Sequence, residues 1–84
     1  MTNTAGDEAA DLAAAQAGDD GAFARLYDRF AAVVLSLCRR WSLPEAEDAT
    51  QETFIRALRH LKRVQSPDKL RPWLFGIARR VCSE

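Results

Sequence analysis

Nine apolar or aromatic side chains between Phe23 and Trp41 recur at helical spacing, and that pattern dictates an α-helix on which the rest must pack. They are Phe23, Leu26, Tyr27, Phe30, Val33, Val34, Leu37, Cys38 and Trp41, at i, i+3, i+4, i+7 and onward through about five turns. All nine are read here as the core stripe of a buried helix. Asp19 or Asp20 offers its N-cap, since a short carboxylate can accept from the free amides of a first turn. Upstream, Asp7 to Ala17 is rich in Ala, carries acids in its first turn and stops at Gly18, which predicts a short helix. Residues 1–6 are expected to be disordered.

Downstream, Gly and Pro again stand where helices should break. Ser42 is an N-cap candidate, with Pro44 near a first turn and Glu45 at the capping-box spacing. A third helix is predicted from about Pro44 to Val64. Gln65, Ser66, Pro67 and Asp68 form a turn, and a last helix should start near Arg71-Pro72 and run through Val81, because proline is tolerated only in a first turn. No segment alternates with the period of a strand, and no stretch repeats. The expected fold is all-α, a compact bundle of three to four helices.

At 84 residues there is room for one small domain, whose core is marginal and gains from a partner. No apolar run approaches the roughly 20 residues of a membrane span, and the polar opening MTNTAGDEAAD is no secretory signal, so a cytoplasmic protein is expected. Cys38 and Cys82 lack the spacing of a zinc site or a redox pair and are read as reduced, mostly buried thiols.

Charge divides the chain although the formal net charge is zero. Residues 1–54 hold ten acids against four arginines, and residues 55–84 hold eight cations against two acids. A domain polarised in this way can present one surface to a polyanion and another to a different partner. The basic part also carries His60, Trp73 and Phe75, and cations interleaved with rings suit single-stranded nucleic acid.

The third helix has two distinct sides when successive residues are stepped by about 100°. Ala46, Thr50, Thr53, Phe54, Ala57, Leu58 and Leu61 fall on one, the expected core side. Asp48, Gln51, Glu52, Ile55 and Arg59 fall opposite. An Ile centred among polar residues on an outward side suits a docking strip, an apolar contact ringed by groups that set orientation. On the last helix Leu70, Leu74, Ile77 and Val81 share the core side, with Pro72, Gly76 and Arg79 behind them. Gly76 costs about 1 kcal/mol relative to Ala inside a helix, which the close approach of a backbone would justify.

Three runs of residues carry a family resemblance. Ala46 to Leu61 (AEDATQETFIRALRHL) resembles region 2.2 of bacterial extracytoplasmic-function sigma factors, and Leu70 to Arg80 (LRPWLFGIARR) resembles their regions 2.3 and 2.4. Gly21 to Phe30 (GAFARLYDRF) is similar to the start of region 2.1. The resemblance covers roughly residues 18–82. It implies that residues 7–84 are a sigma region 2 domain without the second, −35-reading domain such factors carry, and the chain is accordingly read as a fragment.

The resemblance also implies partners. In the family the region 2.2 helix binds the coiled coil of the RNA polymerase β′ subunit, and the matching strip here is Asp48, Gln51, Glu52, Ile55 and Arg59. The family's following loop and last helix recognise the −10 promoter element and hold its melted non-template strand, with one base flipped into a loop pocket. The matching loop is about Val64–Lys69, where Gln65, Ser66 and Asp68 supply donors and acceptors, and the matching helix is 71–83. Phosphate contacts fall to Lys62, Arg63, Lys69, Arg71, Arg79 and Arg80, with Trp73 beside them, either stacked on DNA or packed in the core. An anti-sigma protein is a further partner the resemblance implies. The chain departs from the family at Leu58, where a Trp often stands, at Gly76, where a larger polar residue is usual, and at Arg80, in the place of an Asn.

Two other classes compete. A helical protein-interaction module without nucleic-acid binding fits the same charge division. An enzyme is not indicated, because the lone His60 has no paired nucleophile and the acids lack metal-ligand spacing; no catalytic residue, metal or cofactor is expected.

Overall fold

A computed structural model describes residues 4–42 and 44–84, with side chains from Asp7 onward apart from Leu43. It contains four α-helices: α1 (Thr4–Gln16), α2 (Asp20–Trp41), α3 (Ala46–His60) and α4 (Leu70–Cys82). Single 3₁₀ turns at Leu61–Arg63 and Pro67–Lys69 bracket the α3–α4 loop. No strand occurs among the described residues, as expected of an all-α chain. α1 begins three residues earlier than the sequence suggested; of the segment expected to be disordered, residues 1–3 lie outside the described residues.

The α1–α2 joint follows directly from two residues. Gly18 adopts φ +103°, a left-handed conformation that costs a residue without Cβ little. Its N–H reaches Ala15 O at 3.0 Å, and the next N–H, of Asp19, reaches Ala14 O at 3.0 Å, which closes α1 as a Schellman motif. Asp19 then turns round to start α2: its Oδ1 accepts from the Ala22 N–H at 3.2 Å. One acid thus ends one helix and caps the next.

Along α2 the fully buried residues are Ala22, Leu26, Phe30, Val34 and Cys38, one i+4 ladder facing the other helices. The stripe is narrower than the nine residues suggested. Phe23, Leu37 and Trp41 are half-buried, and Tyr27 and Val33 are 40% and 41% exposed. In a domain this small the remaining helices cover only one flank of α2. Tyr27 lies at the rim, its ring edge-on to Phe54 at 4.7 Å between centroids.

Ser42 does not cap α3. Its N–H bonds Cys38 O at 2.8 Å and so finishes α2, while α3 starts after Glu45 without a side-chain cap and ends at His60 rather than Val64. α3 buries Ala46, Ala49, Thr50, Thr53, Phe54 and Ala57. The two threonines are tolerated there because each hydroxyl donates to a carbonyl one turn back, Thr50 to Ala46 O at 2.8 Å and Thr53 to Ala49 O at 2.7 Å. Burial of Ala49 turns the core side away from Leu58, which sits about 100° from its centre and is 53% exposed, not buried as predicted. On α4 the buried set is Leu70, Leu74 and Ala78; Ile77 and Val81 are half-buried. Alanine's small side chain hid Ala78 from the pattern, yet it is the most buried residue of α4.

Candidate nucleic-acid and polymerase interfaces

The α3 strip is presented as its periodicity predicts. Asp48, Gln51, Ile55 and Arg59 are exposed, Ile55 by 46%, and Glu52 is partly covered. Glu52 is not free, since its Oε2 accepts from Arg56 Nε at 2.8 Å. Beside the strip a groove of about 370 Å³ opens between α2 and α3, floored by Ala31, Ala32 and Leu35 and walled by Tyr27, Glu47 and Gln51. The sequence reading missed the α2 wall because it assigned Tyr27 to the core; its phenolic end was the one signal of an exposed position.

The residues expected to meet DNA do not form one cluster. Arg63, Trp73 and Arg80 do come together, in a hollow of about 340 Å³ between the end of α3 and the middle of α4. Arg56, Arg59 and His60 share it, and Ile77 contributes an apolar patch beside the indole. No carboxylate lines it among the described residues. Arg59 therefore belongs to this cationic hollow as well as to the polymerase strip, while Arg56 and His60 were overlooked. Their spacing was the available signal: 56, 59, 60 and 63 fall on one side of a helix.

Four other predicted cations lie apart from it. Lys62 borders a second hollow, about 360 Å³, against Gln16, Gly18 and Leu58. Arg79 stacks its guanidinium over the Trp41 ring at 5.0 Å. Arg71 is exposed but tied to α1 and α2, with Nη2 2.7 Å from Glu8 Oε1 and its guanidinium 5.1 Å from the Phe30 ring centroid. Lys69 is exposed on the loop, and Arg59, Lys62, Arg63, Lys69 and Arg80 make no ion pair among the described residues.

Within the loop, Gln65 and Asp68 are exposed and Ser66 is half-buried. Ser66 Oγ donates to Asp68 Oδ1 at 2.5 Å, and that bond, with the Asp68 backbone amide, holds the carboxyl below its ordinary range. A hollow of about 380 Å³ opens here, lined by Pro67, Asp68 and Arg71 and, from α1, by Glu8. At the far end, Glu84 takes both Nη atoms of Arg56, at 2.7 and 2.5 Å, and its carboxyl is lowered by that contact.

Comparison with known proteins settles the family. The family model of sigma-70 region 2 matches residues 23–84. The chain belongs to the sigma-70 region 2 family. It is 39% identical over 79 residues to the RNA polymerase sigma factor NccH of Alcaligenes xylosoxydans xylosoxydans, covering 92% of this chain and 42% of that protein. It is 38% identical over 73 residues to the ECF RNA polymerase sigma factor BldN of Streptomyces coelicolor, covering 83% of this chain and 28% of that one. To the ECF RNA polymerase sigma factor SigW of Bacillus subtilis it is 38% identical over 63 residues, 73% of this chain and 34% of SigW. The resemblance to extracytoplasmic-function region 2 is thus borne out, and the chain spans less than half the length of these relatives. No solved structure matches it. Among the described residues, no helix is long and apolar enough to cross a membrane, and no group of three or more His, Cys, Asp or Glu side chains is placed to hold a metal.

Proposed function

We propose that this chain is the promoter-recognition and melting module of a sigma factor, engaging RNA polymerase and single-stranded promoter DNA on adjoining surfaces that share Arg59. The observation that carries the DNA half is the Trp73 hollow, where four guanidiniums and an imidazole surround an indole with no lining carboxylate. Such a site suits a nucleotide whose phosphate meets the cations while its base stacks on the ring. Opening a base pair costs on the order of a few kcal/mol, and without ATP that must be offset by contacts only the unpaired strand can make. Stacking, at roughly 1–3 kcal/mol per base, is one such contact, and the loop of Gln65, Ser66 and Asp68 is another.

The polymerase half rests on the α3 strip. Ile55 is the apolar centre, and Asp48, Gln51, Glu52 and Arg59 are the polar ring that sets the register of a β′ coiled coil. An anti-sigma protein would compete for the same strip. Both halves are tested by fluorescence anisotropy. A labelled single-stranded 12-mer should bind more tightly than its own duplex, with strong salt dependence, and an isolated β′ coiled coil should bind without displacing it. A chain that binds the coiled coil and ignores both DNA forms at low salt is a protein-interaction module instead.

A further inference from the structure

Helix α1 lies ahead of the span that matches the family, yet it touches the α3–α4 loop on both sides. Gln16, in its last turn, uses both hydrogens of one side-chain amide: Nε2 donates to Leu61 O at 2.9 Å and to Val64 O at 2.8 Å. Those carbonyls stand where the α3 ladder runs out: Leu61 O keeps one backbone donor, the Val64 N–H at 3.1 Å, whereas Val64 O has Gln16 as its donor among the described residues. Both residues are buried, which makes an unsatisfied carbonyl at Val64 expensive. Two turns upstream, Glu8 is almost wholly covered and receives Arg71 on the far side of the loop. Eight helical residues span about 12 Å, so one rod holds the segment just before the loop and the first turn just after it.

The rod is itself fixed. Asp11 is buried and meets Arg25 at 2.9 Å and Arg29 at 3.6 Å, both on α2, while Leu12 and Ala15 enter the core. Between the two attachments, Gln65, Asp68 and Lys69 stand exposed. We infer that α1 is the brace that holds this loop in its receptive shape, with Gln16 and Glu8 as positioning residues for recognition of the unpaired strand. The inference rests on the proposed function for its readout in DNA, and on the hydrogen bonds alone for its readout in the protein. A loop shaped beforehand spares the bound complex the entropy of ordering it. Of the cations at the Trp73 hollow only Arg63 belongs to the held segment, and its charge stays when the loop loosens, so loosening should blur sequence preference while leaving most of the general affinity.

The test compares the 84-residue chain with Gln16→Met, which keeps length and helix propensity but loses both bonds, and with Glu8→Gln. Hydrogen–deuterium exchange should accelerate across residues 61–70 by roughly 25-fold in Gln16→Met, at about fivefold for each lost amide–carbonyl bond, with protection in α2 unchanged. A random single-stranded pool selected on the wild-type chain should yield a sequence motif, and the same pool selected on either variant a flatter one, at an unaltered salt slope. Unchanged exchange in 61–70 overturns the brace, as does acceleration spread evenly over all helices. Faster loop exchange with an intact motif overturns the positioning role. A wild-type chain that selects no sequence at all sinks the proposed function, and the exchange measurement still decides the brace.

Discussion

Replacing Arg63 and Arg80 together with Ala removes two of the hollow's cations while touching neither the core nor an ion pair, because both side chains are exposed and unpaired among the described residues. Each phosphate neutralised on a single strand contributes about 0.7 to the slope of log K against log salt, so losing two should flatten the slope by about 1.4. Near 0.1 M salt the same term corresponds to about a 25-fold loss of affinity. The assay is anisotropy of a labelled single-stranded 12-mer across a salt series. Arg79→Ala is the comparison, because Arg79 stacks on Trp41 outside the hollow and its loss should leave the slope nearer the wild type. Binding should also quench Trp73 in a Trp41→Phe background, where it is the remaining indole. A double variant with an unchanged slope, or a Trp73 emission indifferent to DNA, refutes the assignment of the hollow.

Gly76→Ala should stabilise the fold by about 1 kcal/mol, raising Tm by roughly 4–8 °C, because a Cβ there meets nothing within 4 Å; a fall in Tm would show that the open space is not open. Ile55→Lys should leave the circular dichroism melt within about 0.5 kcal/mol of wild type and abolish binding to the β′ coiled coil, since the side chain is half exposed. The Cys82 thiol, pushed up to about 11 by burial and by contact with Cys38, should react with a disulfide reagent at pH 8 at least about tenfold more slowly than an ordinary thiol of pKa about 8.5, the scarcity of its thiolate outweighing that thiolate's higher nucleophilicity. Because the folded value is raised, that thiol's share of stability is full below about pH 8.5 and is lost as pH climbs towards 11, which urea melts at pH 7, 9 and 10.5 will follow.

The helices were legible because their signals are local. Gly18 and Asp19 announce the α1–α2 joint, and the ladder from Ala22 to Cys38 announces α2. What misled the reading was partner geometry, which no single helix contains. Tyr27, Val33 and Leu58 carry core-type side chains at helical spacing, yet whether they are covered depends on how many helices lie against that flank. Ser42 and Glu45 have capping-box spacing, but Ser42 was already committed to closing α2. The strip on α3 could be read because an exposed side needs only one helix to define it. The cationic hollow needed two, and the sequence places Arg59 and Trp73 fourteen positions apart with no periodicity joining them.

The division of charge along the chain acquires a different meaning once the ion pairs are known. The acids of the first half are not simply a negative surface facing away from DNA. Glu8 holds Arg71, Asp11 holds Arg25 and Arg29, and Glu52 holds Arg56. Those carboxylates fix cations that build the fold and leave Arg59, Arg63 and Arg80 without an ion pair at the hollow among the described residues. The partly exposed Glu52–Arg56 pair contributes little stability, so its use lies in deciding which guanidiniums stay unoccupied. Glu84 is the informative case, because it reaches Arg56 at the rim of the hollow itself. Replacing it with Gln should therefore strengthen binding of a single strand by a fewfold while changing the melt little; weaker binding would mean that the Arg56–Glu84 pair shapes the hollow rather than competing for it.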